Sequence, residues 1–393
     1  MQVANWKRIA KQVGIVLVIF CIIVTGTTSA LLIANVNHLG RFVRVWQLIR
    51  SEYLEPAGTA QLVDGATRGI VEALGDPYST YLDAQENKQL FEQLEGKFGG
   101  VGIVLSLKDP KKLVVLRPIK NTPAAKAGIQ PGDVVIKIDN VDTAGLDQDK
   151  AVAMMRGEPG TKVSLVLYRE NTKKTVTVNL TREDISVPTV EGEALPGHPD
   201  LAYINISQFA PETGNELADT LRSLDINKYK GIVLDLRFNH GGELNAAVQV
   251  ASSFVPAGPV VYIVDKQGKV DAKTTTGTYL GKPLVVLVNE ESASAAEIVA
   301  GAIKDKGSGT LVGVKTFGKG IVQTIFPLDD GTSVKLTTAK YLTPNKNDIH
   351  KKGIEPDVKV DLPKDQDATL TPASTNFDAQ LAKAVQVLLA KIK

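Results

Sequence analysis

The chain opens polar and basic, then turns apolar. Lys7, Arg8 and Lys11 precede an apolar stretch from Val13 to about Val36, softened only at Thr25-Gly26-Thr27-Thr28-Ser29. About 20 apolar residues suffice for a helix to cross a bilayer, and positive charge ahead of them keeps that end cytoplasmic while the rest is exported. Residues 1–37 are therefore expected to form a membrane anchor, since Leu31-Leu32-Ile33-Ala34 carries the apolar run onward. The alternative is a signal peptide whose apolar region ends near Val24, with cleavage after Ala30. Phe20 ahead of Cys21 does not suit a lipoprotein box, where a small residue stands. Both readings place the remainder outside the cytoplasm, at the cell membrane or secreted.

From Leu39 to Leu94 the pattern is helical. Phe42, Val45, Trp46 and Ile49 recur at three- and four-residue steps, as do Leu62, Ala66, Gly69, Ile70 and Ala73, until Gly75-Asp76-Pro77 makes a turn. Residues 38–96 thus form a helical region. At Gly96 the texture changes. Short β-rich runs follow at Val101–Leu107, Leu113–Leu116, Val134–Ile138, Val163–Tyr168 and Thr175–Leu180, with helical pieces at Pro123–Ala127 and Asp147–Met155. Residues 97–182 therefore predict a small peptide-binding barrel with two helices.

Beyond Arg182 strand and helix alternate. Ala202–Ile206 predicts a strand and Glu212–Ser223 a helix; Gly231–Leu236 and Pro283–Asn289 read as strands buried on both faces. Gly242–Phe254 and Ala295–Asp305 predict helices. Residues 183–362 are thus an α/β core with strand-end loops available for chemistry. A polar linker, Pro363–Thr375, leads to an amphipathic helix at Phe377–Ile392. The fold class is multidomain: membrane helix, helical segment, β-rich module and α/β core.

Composition narrows the function. A length of 393 residues suits two or three domains. A formal charge of +2 gives no support to a nucleic-acid binder. A lone cysteine allows neither an intramolecular disulfide nor a cysteine-based zinc site. The four histidines form no HExxH pair, and His38, His198 and His350 read as solvent or loop residues. No metal or organic cofactor is expected.

Three segments could carry chemistry. In Val285–Lys306 a buried strand ends at Asn289 and a helix starts near Ser294. Ser294-Ala-Ala-Glu297 has the form of a capping box, so Ser294 reads as an N-cap. The same place also suits a nucleophile, because backbone N–H groups and the helix dipole favour a developing oxyanion. No G-x-S-x-G elbow is present. In Gly313–Phe326, Lys319 lies between Gly318 and Gly320, which would let the backbone approach another loop. A strand over Ile321–Phe326 would put Gln323 on one face with Ile321 and Ile325. Lysine serves as a base only if burial lowers its pKa; a surface lysine in a glycine turn is the plain reading. In Gly231–Glu243, Asp235 and Arg237 precede Asn239-His240-Gly241-Gly242, and paired glycines here commonly supply a free N–H. His240 raises a rival, a Ser–His hydrolase with Asp235 or Asp305 orienting the ring.

In this order the segments resemble the carboxyl-terminal processing proteases, the S41 serine peptidases. Asp235-Leu-Arg-Phe-Asn-His-Gly-Gly242 resembles their DLRxNxGG stretch, with His240 where proline is commoner. Asn289–Glu297 resembles the nucleophile region, and Thr316–Gln323 the FGKGxxQ region. Gly75-Asp76-Pro77-Tyr78-Ser79, Tyr341-Leu-Thr-Pro344 and Gly353-Ile-Glu-Pro-Asp357 match as well, so the likeness runs from about Val43 to Val360.

The resemblance implies Ser294 as nucleophile, Lys319 as general base and Gln323 as its orienter. It implies an oxyanion site at the backbone amides of Ala295 and of Gly241 or Gly242. Asp305 falls where some members carry an aspartate affecting activity, although a helix-terminal structural role fits equally. The middle module would be a PDZ domain, with Gly99, Gly100, Val101, Gly102 and Ile103 as its carboxylate-binding loop and Ile103–Leu107 pairing with the substrate C-terminus. Arg156 would link PDZ placement to the active site, or be an arginine in an exposed turn. The implied partners are protein or peptide C-termini and the membrane, with a homodimer through the terminal helices. A PDZ scaffold on a dead protease core is the competing binding-module reading.

Overall fold

The computed structural model describes Ile19 and residues 38–106, 112–328, 330–361 and 378–392. Apart from Ile19, the expected anchor lies outside the described residues, and so does the linker Pro363–Thr375. No helix among the described residues is long and apolar enough to cross a membrane.

Two compact units divide at Leu74 and Gly75. In the first, residues 38–52 and Thr59–Glu72 are helical as the periodicity predicts. The second begins with the turn at Asp76, whose carboxylate accepts Tyr78 N–H at 3.1 Å and Ser79 Oγ–H at 2.6 Å. Thr80–Leu82, past the expected turn and inside the region read as helical, is a strand. Its residues pair with Lys335, Val334 and Ser333, more than 250 positions onward, so a distant partner overrides the local pattern. The helix Ala84–Glu95 follows, started by a full capping box between Asp83 and Glu86.

The β-rich module forms a sheet in the order Ile103–Leu105, Leu113–Pro118, Asp133–Ile138, Lys162–Arg169, Lys174–Thr181, with Val141–Asp142 beside the third strand. Helices Pro123–Lys126 and Gln148–Met155 complete it, and Val115, Val135, Ile138, Leu165 and Leu167 fill its core. The ends of the module are zipped together outside this sheet, where Lys97–Gly100 runs antiparallel to Glu183–Ser186.

The α/β core is a six-stranded sheet in the order Val190–Leu195, His198–Ile206, Gly231–Asp235, Leu284–Val288, Thr310–Gly313, Val358–Lys359, parallel except for the first pair. The two central strands are buried along their whole length. Ile232 and Leu234 pack towards helices Thr213–Ser223, Leu244–Phe254 and Ala295–Asp305. Val233, Val285 and Leu287 pack on the opposite face against Leu381, Ala384 and Leu388 of the Ala379–Ile392 helix. Burying each such side chain contributes roughly 1.5–3 kcal/mol, which accounts for unbroken apolar runs instead of alternation.

A second sheet runs Thr80–Leu82, Ser333–Leu342, Pro259–Asp265, Val270–Thr274, with Ile321–Pro327 also paired to Ser333–Leu342. It carries Lys319 and Gln323 to the carboxyl ends of the parallel strands, where open α/β sheets place their sites.

Candidate active site

Asp235 and Arg237 close the third core strand, and both are buried. Arg237 lies 2.6 Å from Asp235 Oδ2 and 2.9 Å from Asp378 Oδ2, and Tyr203 O–H donates to Asp235 at 2.7 Å. With its oxygens so committed, Asp235 does not orient His240, and that part of the Ser–His reading is corrected. The next residue to matter is Asn239. Its Nδ2 donates to Ile206 O at 2.7 Å, its Oδ1 accepts Gly241 N–H at 2.8 Å, and its carbonyl accepts Ala293 N–H at 2.9 Å.

The loop from Asn289 to Ser294 is fastened to this one. Asn289 Oδ1 accepts Phe238 N–H at 2.9 Å, and Ser292 Oγ–H donates to Leu236 O at 2.8 Å. Ser294 then adopts φ 54°, ψ −113°, a conformation rare for any side-chain-bearing residue. Such backbone costs on the order of 1–3 kcal/mol and persists only where its surroundings over-determine it. Here Ser294 N–H donates to Glu297 Oε2 at 2.9 Å, and the Ser294 carbonyl accepts Tyr341 O–H at 2.9 Å. Gly241 crosses so closely that a Cβ there would lie 2.8 Å from Ser294 Cβ and 2.9 Å from Ala295 N.

Glu297 is fully buried and joins this loop to the next. Besides Ser294 N–H, its carboxylate accepts Thr316 Oγ–H at 2.6 Å and the N–H groups of Gly318 and Lys319, both at 2.8 Å. Burial pushes the Glu297 carboxyl up, and the four donors pull it back towards the ionised form. Gly318 and Gly320 do admit another loop: a Cβ on either would lie 2.8 Å from Gly353 N or 2.7 Å from His350 N.

Lys319 Nζ sits 5.0 Å from the ring centre of Tyr78. Burial lowers the Lys319 amine from its ordinary value and the like charge of Lys335 adds to this, while Asp76 and Glu297 act the other way. The Ile321–Pro327 strand slips register between Val322 and Gln323. Gln323 Nε2 is buried without a hydrogen-bond partner. Among the described residues no hydrogen bond joins Lys319 Nζ to Ser294 or to Gln323.

Ser294, Ala295, Gly241, Gly242, Lys319 and Gln323 line one cavity of about 710 Å³. The N–H of Gly241 is spent on Asn239, so of the expected glycine pair only Gly242 has an N–H that donates to no described residue; the same holds for Ala295. His240 stands at the rim, its side chain 75% exposed and 3.5 Å from Glu291. Asp305 lies ~16 Å along the helix from Ser294 and accepts Asn345 N–H at 2.8 Å, which is a structural contact at the helix end.

In the β-rich module the expected carboxylate loop divides. Gly99 and Gly100 belong to the strand paired with Asp184 and Glu183, so Val101 and Gly102 alone form the turn before Ile103. The strand beginning at Ile103 is short, Ile103–Leu105, and is an edge of its sheet, open on one side. Arg156 is exposed, with its guanidinium stacked 4.2 Å from the ring centre of Phe98 on the zipped ribbon.

The profile for peptidase family S41 matches residues 200–360, a PDZ domain profile matches 99–180, and that of the activating protease CtpB N-terminal domain matches 25–86. The carboxy-terminal processing protease CtpA of Bacillus subtilis is 39% identical over 89% of this chain and 76% of its own length. The chain belongs to the carboxy-terminal processing proteases of peptidase family S41. A carboxyl-terminal-processing protease of Synechocystis is likewise similar, 38% identical over 86% of this chain and 80% of its own length. A solved S41 protease from Bacteroides fragilis has a TM-score of 0.55 at 16% identity, covering 88% of this chain and 97% of that one, a likeness of fold.

As a member of this family the chain is a serine-type peptidase. Several residues that build its site have roles that motif reading did not assign. Glu297 looks like one half of an ordinary cap, and Asn239, Ser292 and Tyr341 act through backbone groups of other loops. Tyr78 and Lys335 reach the site only because Thr80–Leu82 pairs with Ser333–Leu342. The family stretches Gly75–Ser79 and Tyr341–Pro344 were the available signal for Tyr78 and Tyr341.

Proposed function

We propose that this carboxy-terminal processing protease hydrolyses peptide bonds through an acyl-enzyme formed on Ser294, with Lys319 as base. The observation that carries this reading is a lysine of lowered pKa sharing a cavity with a strained serine at a helix start, the two segments latched by Glu297. Neutral Lys319 takes the Ser294 Oγ proton as the oxygen attacks the scissile carbonyl. The N–H groups of Ala295 and Gly242 receive the oxyanion. Lys319 then protonates the leaving amine, and afterwards takes a proton from the water that cleaves the ester. The place of Gln323 in the same cavity supports its role as orienter: its side-chain oxygen can accept an N–H of the neutral Lys319 amine, leaving the lone pair free for the Ser294 proton and adding no charge.

The PDZ domain receives an exposed substrate C-terminus by strand addition to Ile103–Leu105, and its placement gates access to Ser294, with Arg156 at the ribbon as the coupling element. The basic residues ahead of the apolar run support work outside the cytoplasm, tethered by residues 1–37 or released after cleavage. Exposed Val63 and Ile70 on the Thr59–Glu72 helix support a homodimer.

The test is degradation of an unstructured protein with an apolar C-terminus by wild type, Ser294→Ala and Lys319→Ala. Loss of cleavage in both variants is expected, by roughly 10³-fold or more. Normal cleavage by Lys319→Ala would sink the scheme, and dependence on His240 would favour the Ser–His hydrolase. If wild type is silent towards both substrate and a serine-reactive probe, the scaffold reading stands instead.

A further inference from the structure

The cavity holds a second lysine that neither the motifs nor the proposed mechanism uses. On the Ile321–Pro327 and Ser333–Leu342 ladder, Ile325 stands directly opposite Lys335, and Gln323 opposite Thr337. Directly opposed residues share a sheet face, and residues two apart on a strand do too. Gln323, Ile325 and Lys335 therefore rise into the cavity together, and all three line it with Ser294 and Lys319. Lys335 is half-buried there and makes no ion pair among the described residues. Lys340, farther along the same strand, is instead paired with Asp348 at 3.4 Å.

We propose that Lys335 is a positioning residue that acts through Lys319: its unpaired ammonium, held in the same cavity, favours the neutral, proton-accepting form of the Lys319 amine. This rests on the Ser–Lys reading above. An ammonium in the same partly desolvated cavity opposes protonation of the Lys319 amine. Lys319 is pinned by its backbone to Glu297 between two glycines, and burial already disfavours its cation. The other charges around it do not replace Lys335. Asp76 and Glu297 are acidic and favour the ammonium. Glu95, Glu243 and His240 lie on the cavity wall and rim. Asp348, His350, Lys351 and Lys352 sit on the loop packed against Gly318 and Gly320. Lys335 is thus the other lysine lining the cavity itself.

The experiment uses the full chain and two readouts, kcat/KM on an unstructured protein and the rate of Ser294 labelling by a fluorophosphonate, each from neutral to alkaline pH. In Lys335→Met and Lys335→Gln the acidic limb of both profiles should move to higher pH by about one pH unit. That is roughly a tenfold loss of rate below the limb with the alkaline plateau preserved, and Lys335→Arg should restore the wild-type limb. A limb that stays in place, or a loss equal at every pH, would overturn the assignment. Lys319→Ala separates the two proposals. If it is dead while the Lys335 limb does not move, this inference alone falls. If it remains active with a normal limb, the Ser–Lys reading falls with it.

Discussion

Glu297 accepts hydrogen bonds from Ser294, Thr316, Gly318 and Lys319, and its side chain is shut off from water. It fixes the backbone of both segments that carry the proposed pair, so it sets where Ser294 and Lys319 stand. Glu297→Gln keeps the shape but turns one acceptor oxygen into an NH₂ facing N–H donors. A loss of about 10–100-fold in kcat is expected, with KM little changed, together with a lower Tm; Glu297→Ala should lose more, since it leaves four buried donors unmet. Steady-state kinetics beside a thermal melt check both parts. The sign of the pH dependence follows from Lys319. In the proposed mechanism its neutral amine is the active form, so activity should be lost as pH falls through the Lys319 pKa. Because burial and Lys335 lower that pKa, the midpoint of the limb should lie below the ordinary lysine value of 10.5. A midpoint at or above it would contradict the geometry.

Among the elements, the strand Gly231–Asp235 and the helix Ala379–Ile392 are joined by charge as well as by apolar packing. Arg237 contacts Asp235, Asp378 and Gln380 in a pocket closed to solvent. Removing the arginine strands buried carboxylates, and such losses run to about 3–5 kcal/mol. Arg237→Ala should therefore lower stability by that amount in chemical denaturation and loosen Leu381 and Leu388 from the sheet, with faster hydrogen exchange in that helix. Much of this layer was legible in the sequence. The apolar runs at Ile232–Leu234 and Leu284–Val288 read as strands buried on both faces, and the amphipathic spacing of the last helix predicts the face it buries. The strand Ser333–Leu342 was not legible. Its residues are mostly half-buried, Lys and Thr interrupt any period, and two of its three partners, Thr80–Leu82 and Pro259–Asp265, lie far from it in the sequence. The site followed the same division. Ser294, Lys319 and Gln323 stand in recognisable motifs, whereas Glu297 hides inside a capping pattern, and Tyr78 and Lys335 depend on pairings that span most of the chain.

For the whole second unit, the PDZ domain is attached by one ribbon, Lys97–Gly100 with Glu183–Ser186, and touches the core through exposed ion pairs such as Arg117–Glu191. Exposed pairs contribute little, so the domain is held mainly by its stem. Replacing residues 101–182 with a short linker that keeps the ribbon should leave Ser294 open to a fluorophosphonate while processing of long chains through their C-termini is lost. Equal processing with and without the domain would remove its role in selection. The clamp at Arg237 has a consequence for biosynthesis. It lies two residues before Asn239, which shapes the floor beneath Ser294, and it is satisfied by Asp378, at the start of the last described helix to be synthesised. A chain still emerging from the ribosome can hold Ser294 and Lys319 and yet lack the brace under them. The brace beneath the serine peptidase site is in this way completed only after nearly all of the described chain has been made.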